Sequence, residues 1–200
     1  SKTWAMAEPS SPRRVLVLGG ARSGKSGFAE RLAASYGRPV VYLATGEAGD
    51  DEMAERILRH RARRPGSWGT VEEKLDITAA LARIDPHRAA WLIDSVTLLV
   101  ANVMSQGPEP WTEKSPGNPV EDALLRELDG LFALAGEREA DLVLVSDEVG
   151  MGVVPDHPSG RHFRDLLGAA NQHLSARCDE VYVVVAGLAL ECKRRAVPWP

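Results

Sequence analysis

The chain of 200 residues is short of cysteine, of long apolar runs and of a surplus of either charge. Its two cysteines, Cys178 and Cys192, stand in no metal-ligand spacing. That excludes a thiolate cage or a disulfide framework and leaves reduced thiols as the expectation. The longest apolar runs, such as VYVVVAGLAL at 181–190, fall well short of a membrane span, and no charged-then-apolar export pattern opens the chain. A soluble, cytoplasmic protein with no membrane insertion is expected. Lys and Arg total 24 against 28 Asp and Glu, a formal charge of −4 that gives no overall pull toward nucleic acid or anionic lipid. Aromatic residues are not interleaved with the basic ones, so no nucleic-acid partner is expected either. There is no internal repeat and no low-complexity tract.

What is present suffices for one sizeable core: 44% of the residues are hydrophobic. Residues 1–12, SKTWAMAEPSSP, lack periodicity and read as a flexible N-terminal extension. Residues 13–192 read as a single domain and 193–200 as a C-terminal tail. Within the domain, compact aliphatic runs alternate with helical periodicity. VLVL, PVVYLAT, AAWLID, DLVLVS and EVYVVVAG read as strands. Phe28, Leu32 and Tyr36 recur at spacing four on a helix that Gly37 and Pro39 stop. DDEMAERILRHRARR, acidic at its start and basic at its end, reads as a second helix. DITAALARI, SVTLLVANVMSQ, VEDALLRELDGLFALA and RHFRDLLGAANQHLSARC read as further helices, with Leu124, Leu128, Leu131 and Phe132 in the core. WGTVEE reads as a short strand. The loop at 106–119, rich in proline and glycine, reads as a surface segment able to act as a lid. Strand-then-helix order with unbroken aliphatic strands predicts an α/β fold, a mainly parallel central sheet with helices on both faces. Ligands in such sheets sit at the carboxyl ends of the strands.

At 15–26, VLVLGGARSGKS breaks abruptly from aliphatic residues into Gly, Ser and Lys. Gly19, Gly24, Lys25 and Ser26 fill every fixed position of the phosphate-loop pattern G-x-x-x-x-G-K-[ST]. Gly19, Gly20, Ala21, Arg22, Ser23 and Gly24 are therefore expected to wrap a polyphosphate with their backbone N–H groups. Lys25 reaches its terminal phosphates, and the Ser26 hydroxyl suits Mg²⁺. Such a loop needs a carboxylate at a nearby strand end to complete the magnesium shell. Asp94 fits this, although the same residue also suits a cap on the helix that follows. Asp147 and Glu148 form a second candidate pair.

His60 falls with Met53 and Ile57 at helical spacing on an inward stripe, where a hydrogen-bonded packing role and a nucleophilic role both remain open. Arg56, Arg59, Arg61, Arg63 and Arg64 crowd the same segment and favour an anion, or form a solvated face with pairs such as Glu52 to Arg56. Arg161, His162 and Arg164 open a later helix after a glycine- and proline-rich segment, a weaker signal. His87, His157 and His173 carry no assigned role.

GGARSGKS, YLATGEAGDDEMAERILRHRARRPGSW, LIDSVTLLVANV and the run from LVLVSDEVGMGVVP to DEVYVVVAG resemble the bifunctional adenosylcobinamide kinase / adenosylcobinamide-phosphate guanylyltransferase family of cobalamin synthesis. The resemblance covers about residues 13 to 190. It implies a P-loop NTPase domain of the RecA-like type over 13–192 and a homo-oligomer, a trimer. It also implies two reactions, phosphorylation of adenosylcobinamide by ATP or GTP and transfer of GMP from GTP to the resulting phosphate. His60 is the residue the resemblance marks as the guanylylated nucleophile, with Lys25 beside the phosphates. Nucleotide contacts fall to residues 19–26 with Asp94 and Glu148, and Mg²⁺ to Ser26 and Asp94. The sequence departs from the family pattern at Ser95, where cysteine is expected, and at Asp147, where asparagine is expected. Two rival readings remain. A monofunctional small-molecule kinase would use the loop and Asp94 alone. A GTP-dependent switch would use the D-x-x-G string at 147–150, but the chain has no N-K-x-D motif.

Overall fold

The computed structural model describes residues 11–46, 64–84, 87–107 and 118–197. Among the described residues seven strands run β1 (Arg14–Gly19), β2 (Val40–Ala44), β3 (Gly69–Glu72), β4 (Ala90–Asp94), β5 (Asp141–Asp147), β6 (Glu180–Val185) and β7 (Leu188–Glu191). The described helices are α1 (Lys25–Ala34), α2 (Ile77–Ala82), α3 (Val96–Gln106), α4 (Pro119–Glu137) and α5 (Pro158–Arg177), and a 3-10 turn, Lys193–Arg195, follows β7. The helix expected over DDEMAERILRHRARR, with His60 on it, lies outside the described residues except for Arg64. So does most of the loop at 106–119.

All strands form one sheet in the order β3-β2-β4-β5-β1-β6-β7. Every pairing is parallel except that of β7, which returns antiparallel along β6. The α/β fold with a mainly parallel sheet is the one expected from the strand-then-helix order. Side chains alternate across the sheet, so each aliphatic strand feeds two cores. Val15, Val17, Ala90, Leu92, Val143 and Val145 face α1, meeting Ala29 and Ala33. Leu16, Trp91, Ile93, Leu142 and Leu144 face the opposite way, toward α2 to α5. There Leu124, Leu128, Leu131 and Phe132 of α4 are buried as expected. Asn118 starts α4 by accepting from the N–H groups of Val120 and Glu121, with Pro119 at its first turn.

The reversal into β7 is a two-residue turn. Val185 pairs with Leu188, and Ala186 and Gly187 between them both take positive φ, 50° and 79°. This is the hairpin geometry whose twist matches its flanking strands. Beyond β7, the Glu191 carboxylate accepts from the N–H groups of Lys193 and Arg194, tying down the first residues of the segment read as a tail.

Candidate active site

Parallel strands bring their carboxyl ends to one edge. Gly19 of β1 stands in register with Asp147 of β5, and Asp94 of β4 with Val145. The phosphate-loop residues leave β1 at this edge. Gly19 is required there, because a Cβ would stand 2.6 Å from both the Ser23 hydroxyl and the Val184 carbonyl oxygen. The loop closes when the Ser23 N–H donates to the Gly20 carbonyl at 3.2 Å, and Arg22 and Gly24 take positive φ, 56° and 96°. Gly24 caps α1 without a side chain to offer, so the first-turn N–H groups have no side-chain acceptor from the cap. The β6–β7 turn braces the loop from behind: the Gly187 N–H donates to the Ser23 carbonyl at 2.8 Å. The Ser23 hydroxyl is buried and has no partner among the described residues. Gly20, Ala21, Arg22 and Gly24 face solvent.

Lys25 opens α1 and is only 8% exposed. Its ammonium donates to the Gly20 carbonyl at 3.3 Å and forms an ion pair with the Asp147 carboxylate. Ser26 follows it, half-buried. Asp147 is held from both sides. Its N–H donates to Thr97 Oγ1 at 2.7 Å and its carbonyl accepts from Asn171 Nδ2 at 3.0 Å. Asn171 in turn accepts from the buried Ser146 hydroxyl. Glu148 touches the phosphate loop through its backbone, donating its N–H to the Gly19 carbonyl at 3.2 Å. Its carboxylate folds back onto the Gly150 N–H.

Asp94 accepts from the Tyr42 hydroxyl at 3.0 Å. Burial first, and the Asp94 charge next, raise the Tyr42 phenol well above its ordinary range, so it remains a proton donor. Arg64 lies over the Tyr42 ring, 3.6 Å from its centre. The cap on α3 is Ser95 rather than Asp94: its side chain accepts from the Leu98 N–H. His60, the expected nucleophile, lies outside the described residues.

A sequence profile describing cobinamide kinase / cobinamide phosphate guanyltransferase fits residues 15–192. The chain belongs to this CobU family. It is 40% identical over 185 residues to the bifunctional adenosylcobalamin biosynthesis protein CobU of Escherichia coli (strain K12), covering 90% of this chain and 99% of that one. It is 42% identical to the protein of the same name from Salmonella typhimurium, covering 90% and 99%. It is 41% identical to the bifunctional adenosylcobalamin biosynthesis protein CobP of Pseudomonas aeruginosa, covering 90% and 97%. Among solved structures, one reported as a prototypical ATPase from a bacterial type III secretion system matches with a TM-score of 0.59 at 14% identity. That match spans 94% of this chain and 60% of that one. It shows a shared α/β fold built on a mainly parallel central sheet. The chain is therefore a CobU-type bifunctional kinase and guanylyltransferase of cobalamin assembly.

In this CobU-family chain the loop after Glu148 carries exposed Met151, Val153 and Val154. Arg164 donates to the carbonyls of Gly150 and Gly152, and Arg161 to those of Pro155 and Asp156. The two arginines thus stiffen a loop instead of presenting free charge. His157 accepts from the Ser159 N–H as the cap of α5, and His173 meets Asp129 of α4, both structural uses. Sequence reasoning missed Tyr42, Thr97 and Asn171. Of these only Asn171 left a signal, a polar residue among Leu167, Ala170 and Leu174 on an otherwise apolar stripe. No described helix is long and apolar enough to cross a membrane.

Proposed function

We propose that this chain carries out both reactions at one phosphate-loop site, with His60 as the covalent relay in the second. The observation that supports the reading best is the loop from Gly19 to Lys25, built at the strand-end edge where Glu148 bonds to Gly19 and where β4 ends in Asp94. In the first reaction the hydroxyl oxygen of adenosylcobinamide attacks the γ-phosphorus of ATP or GTP. An O–P bond forms, the β–γ bridge breaks, and the nucleoside diphosphate leaves while the hydroxyl proton passes to solvent. In the second, a ring nitrogen of His60 attacks the α-phosphorus of GTP. An N–P bond forms and pyrophosphate departs. The phosphate oxygen of the corrinoid acceptor then attacks that phosphorus, the N–P bond breaks, and adenosylcobinamide-GDP is released.

The residue types present suit Mg²⁺: Ser26 in the first turn of α1 and Asp94 at the carboxyl end of β4 offer hard oxygen donors at the strand-end edge. When bound, that ion neutralises charge on the polyphosphate. Lys25 shares this task, while the loop N–H groups orient the phosphate chain. Tyr42 holds the Asp94 carboxylate in one orientation. Glu148 closes the loop through its backbone. We take residues 13–192 as the catalytic unit and the working form as a homotrimer in the cytoplasm.

The test is incubation with Mg²⁺ and GTP labelled at the α-phosphate, without acceptor. Acid-labile, base-stable label is expected on the wild-type protein and absent from His60→Ala, which retains the kinase step. Label that persists in His60→Ala overturns the role of His60. Absence of label from a wild-type protein that binds GTP favours the monofunctional kinase.

A further inference from the structure

The Lys25 ammonium, the group expected to meet the phosphates, is engaged by a carboxylate. We propose that Asp147 and the incoming polyphosphate compete for Lys25, and that this competition makes nucleotide binding by this chain unusually dependent on an accompanying divalent cation. The inference rests on the reading that residues 19–26 bind a nucleoside triphosphate.

Three observations carry it. The pair is sheltered, its side chains 10% and 24% exposed, so water screens the attraction less than at an open surface. Asp147 is a fixed competitor. Its backbone is bonded to Thr97 on one side and Asn171 on the other, and its register opposite Gly19 keeps it beside the loop. Lys25 is equally confined, with the Gly20 carbonyl as its other acceptor. A phosphate oxygen arriving at Lys25 either displaces this carboxylate or shares the three-donor ammonium with it, and in both cases meets its negative charge.

After the exchange, the freed Asp147 charge still faces the same corner as a polyphosphate carrying several negative charges. Two anions that share a site repel unless a cation lies between them. A divalent ion brought in with the nucleotide removes the penalty. Asparagine at this position would fill the same volume without charge and would pose no such requirement. Asp147 is thus a positioning residue for Lys25 and a determinant of which charge state of the nucleotide is accepted.

The experiment is equilibrium titration of the full chain with a fluorescent GTP analogue, once with EDTA and once with Mg²⁺, for wild type, Asp147→Asn and Asp147→Glu. Asp147→Asn is expected to bind metal-free nucleotide about tenfold more tightly than wild type, through loss of a competing charge. The ratio of affinities with and without Mg²⁺ should shrink by a similar factor. Asp147→Glu retains the charge and should retain most of the wild-type ratio. A purely structural role would lower affinity in both buffers alike and leave the ratio unmoved. Asp147→Ser is a second neutral variant that reads the same ratio if the amide disturbs folding. A ratio unchanged within twofold in a folded neutral variant overturns the proposal. Failure of wild type to bind nucleotide in either buffer defeats the nucleotide-site reading as well.

Discussion

Ser95 shows how one side chain frees another. Its hydroxyl caps α3, its N–H donates to Thr45 Oγ1 at 2.9 Å, and its carbonyl accepts from the same threonine hydroxyl at 2.7 Å. The helix start is thereby satisfied without Asp94, whose carboxylate turns to Tyr42 and the strand-end edge. Ser95 thus has a structural use. The two cysteines differ in the same local sense. Cys178 is 2% exposed, and burial pushes its thiol from an ordinary 9.0 up to about 12, whereas Cys192 is only half-buried. A raised thiol pKa means that the folded chain keeps a proton which the unfolded chain gives up. This contribution to stability is intact below pH 9.0 and is lost as pH rises toward about 12. Thiol labelling at pH 8 is expected to modify Cys192 first and Cys178 only after denaturant unfolds the chain. Equal rates for both in the folded protein would show that the burial is wrong.

At the scale of elements, the junction of β1 and α1 separates two neighbouring glycines. A Cβ at Gly19 meets the Ser23 hydroxyl and the Val184 backbone at 2.6 Å, whereas one at Gly20 meets nothing within 4 Å. Gly19→Ala is expected to force the loop off β6, lowering stability by about 1–3 kcal/mol through overpacking and weakening nucleotide binding. Gly20→Ala should leave the melting temperature within a degree or two of wild type. Thermal melts of both variants make the check, and equal destabilisation would contradict the loop geometry. This junction was legible in the sequence because its signal is local: fixed spacing within twelve residues, after an aliphatic strand. The central strands were legible for a similar reason, since burial on both faces demands unbroken aliphatic runs such as those of β4 and β5. The pairing of Lys25 with Asp147 was not. It depends on the parallel register that sets Asp147 of β5 opposite Gly19 of β1, and no local pattern encodes which strand becomes the neighbour of β1. β7 was hidden by brevity, because LALE continues an apolar run and only the positive φ values at Ala186 and Gly187 divide it from β6.

At the scale of the whole molecule, the sheet of the described residues ends on the β6–β7 hairpin. Val185, Leu188 and Leu190 are 58%, 71% and 52% exposed along the β6–β7 hairpin. Val185 stands opposite Leu188, and Leu190 opposite Val183, so these side chains share one face of the hairpin. An apolar strip of this kind suits contact with another copy of the chain. The homotrimer proposed above predicts a light-scattering mass about three times the 21.7 kDa of one chain. A mass of one chain at micromolar concentration would overturn it.

β5 separates the two cores while ending at the site. Val143 and Val145 fill one core, Leu142 and Leu144 the other, and the next residues along are Ser146, Asp147 and Glu148. The strand therefore works as a ruler with a pitch of one residue. Deleting a single position would exchange the contents of the two cores and move the acid facing Lys25 out of reach in the same event. The spacing from Asp141 to Asp147 is therefore a constraint set by the fold itself, one that exchanging the aliphatic residues between them leaves intact.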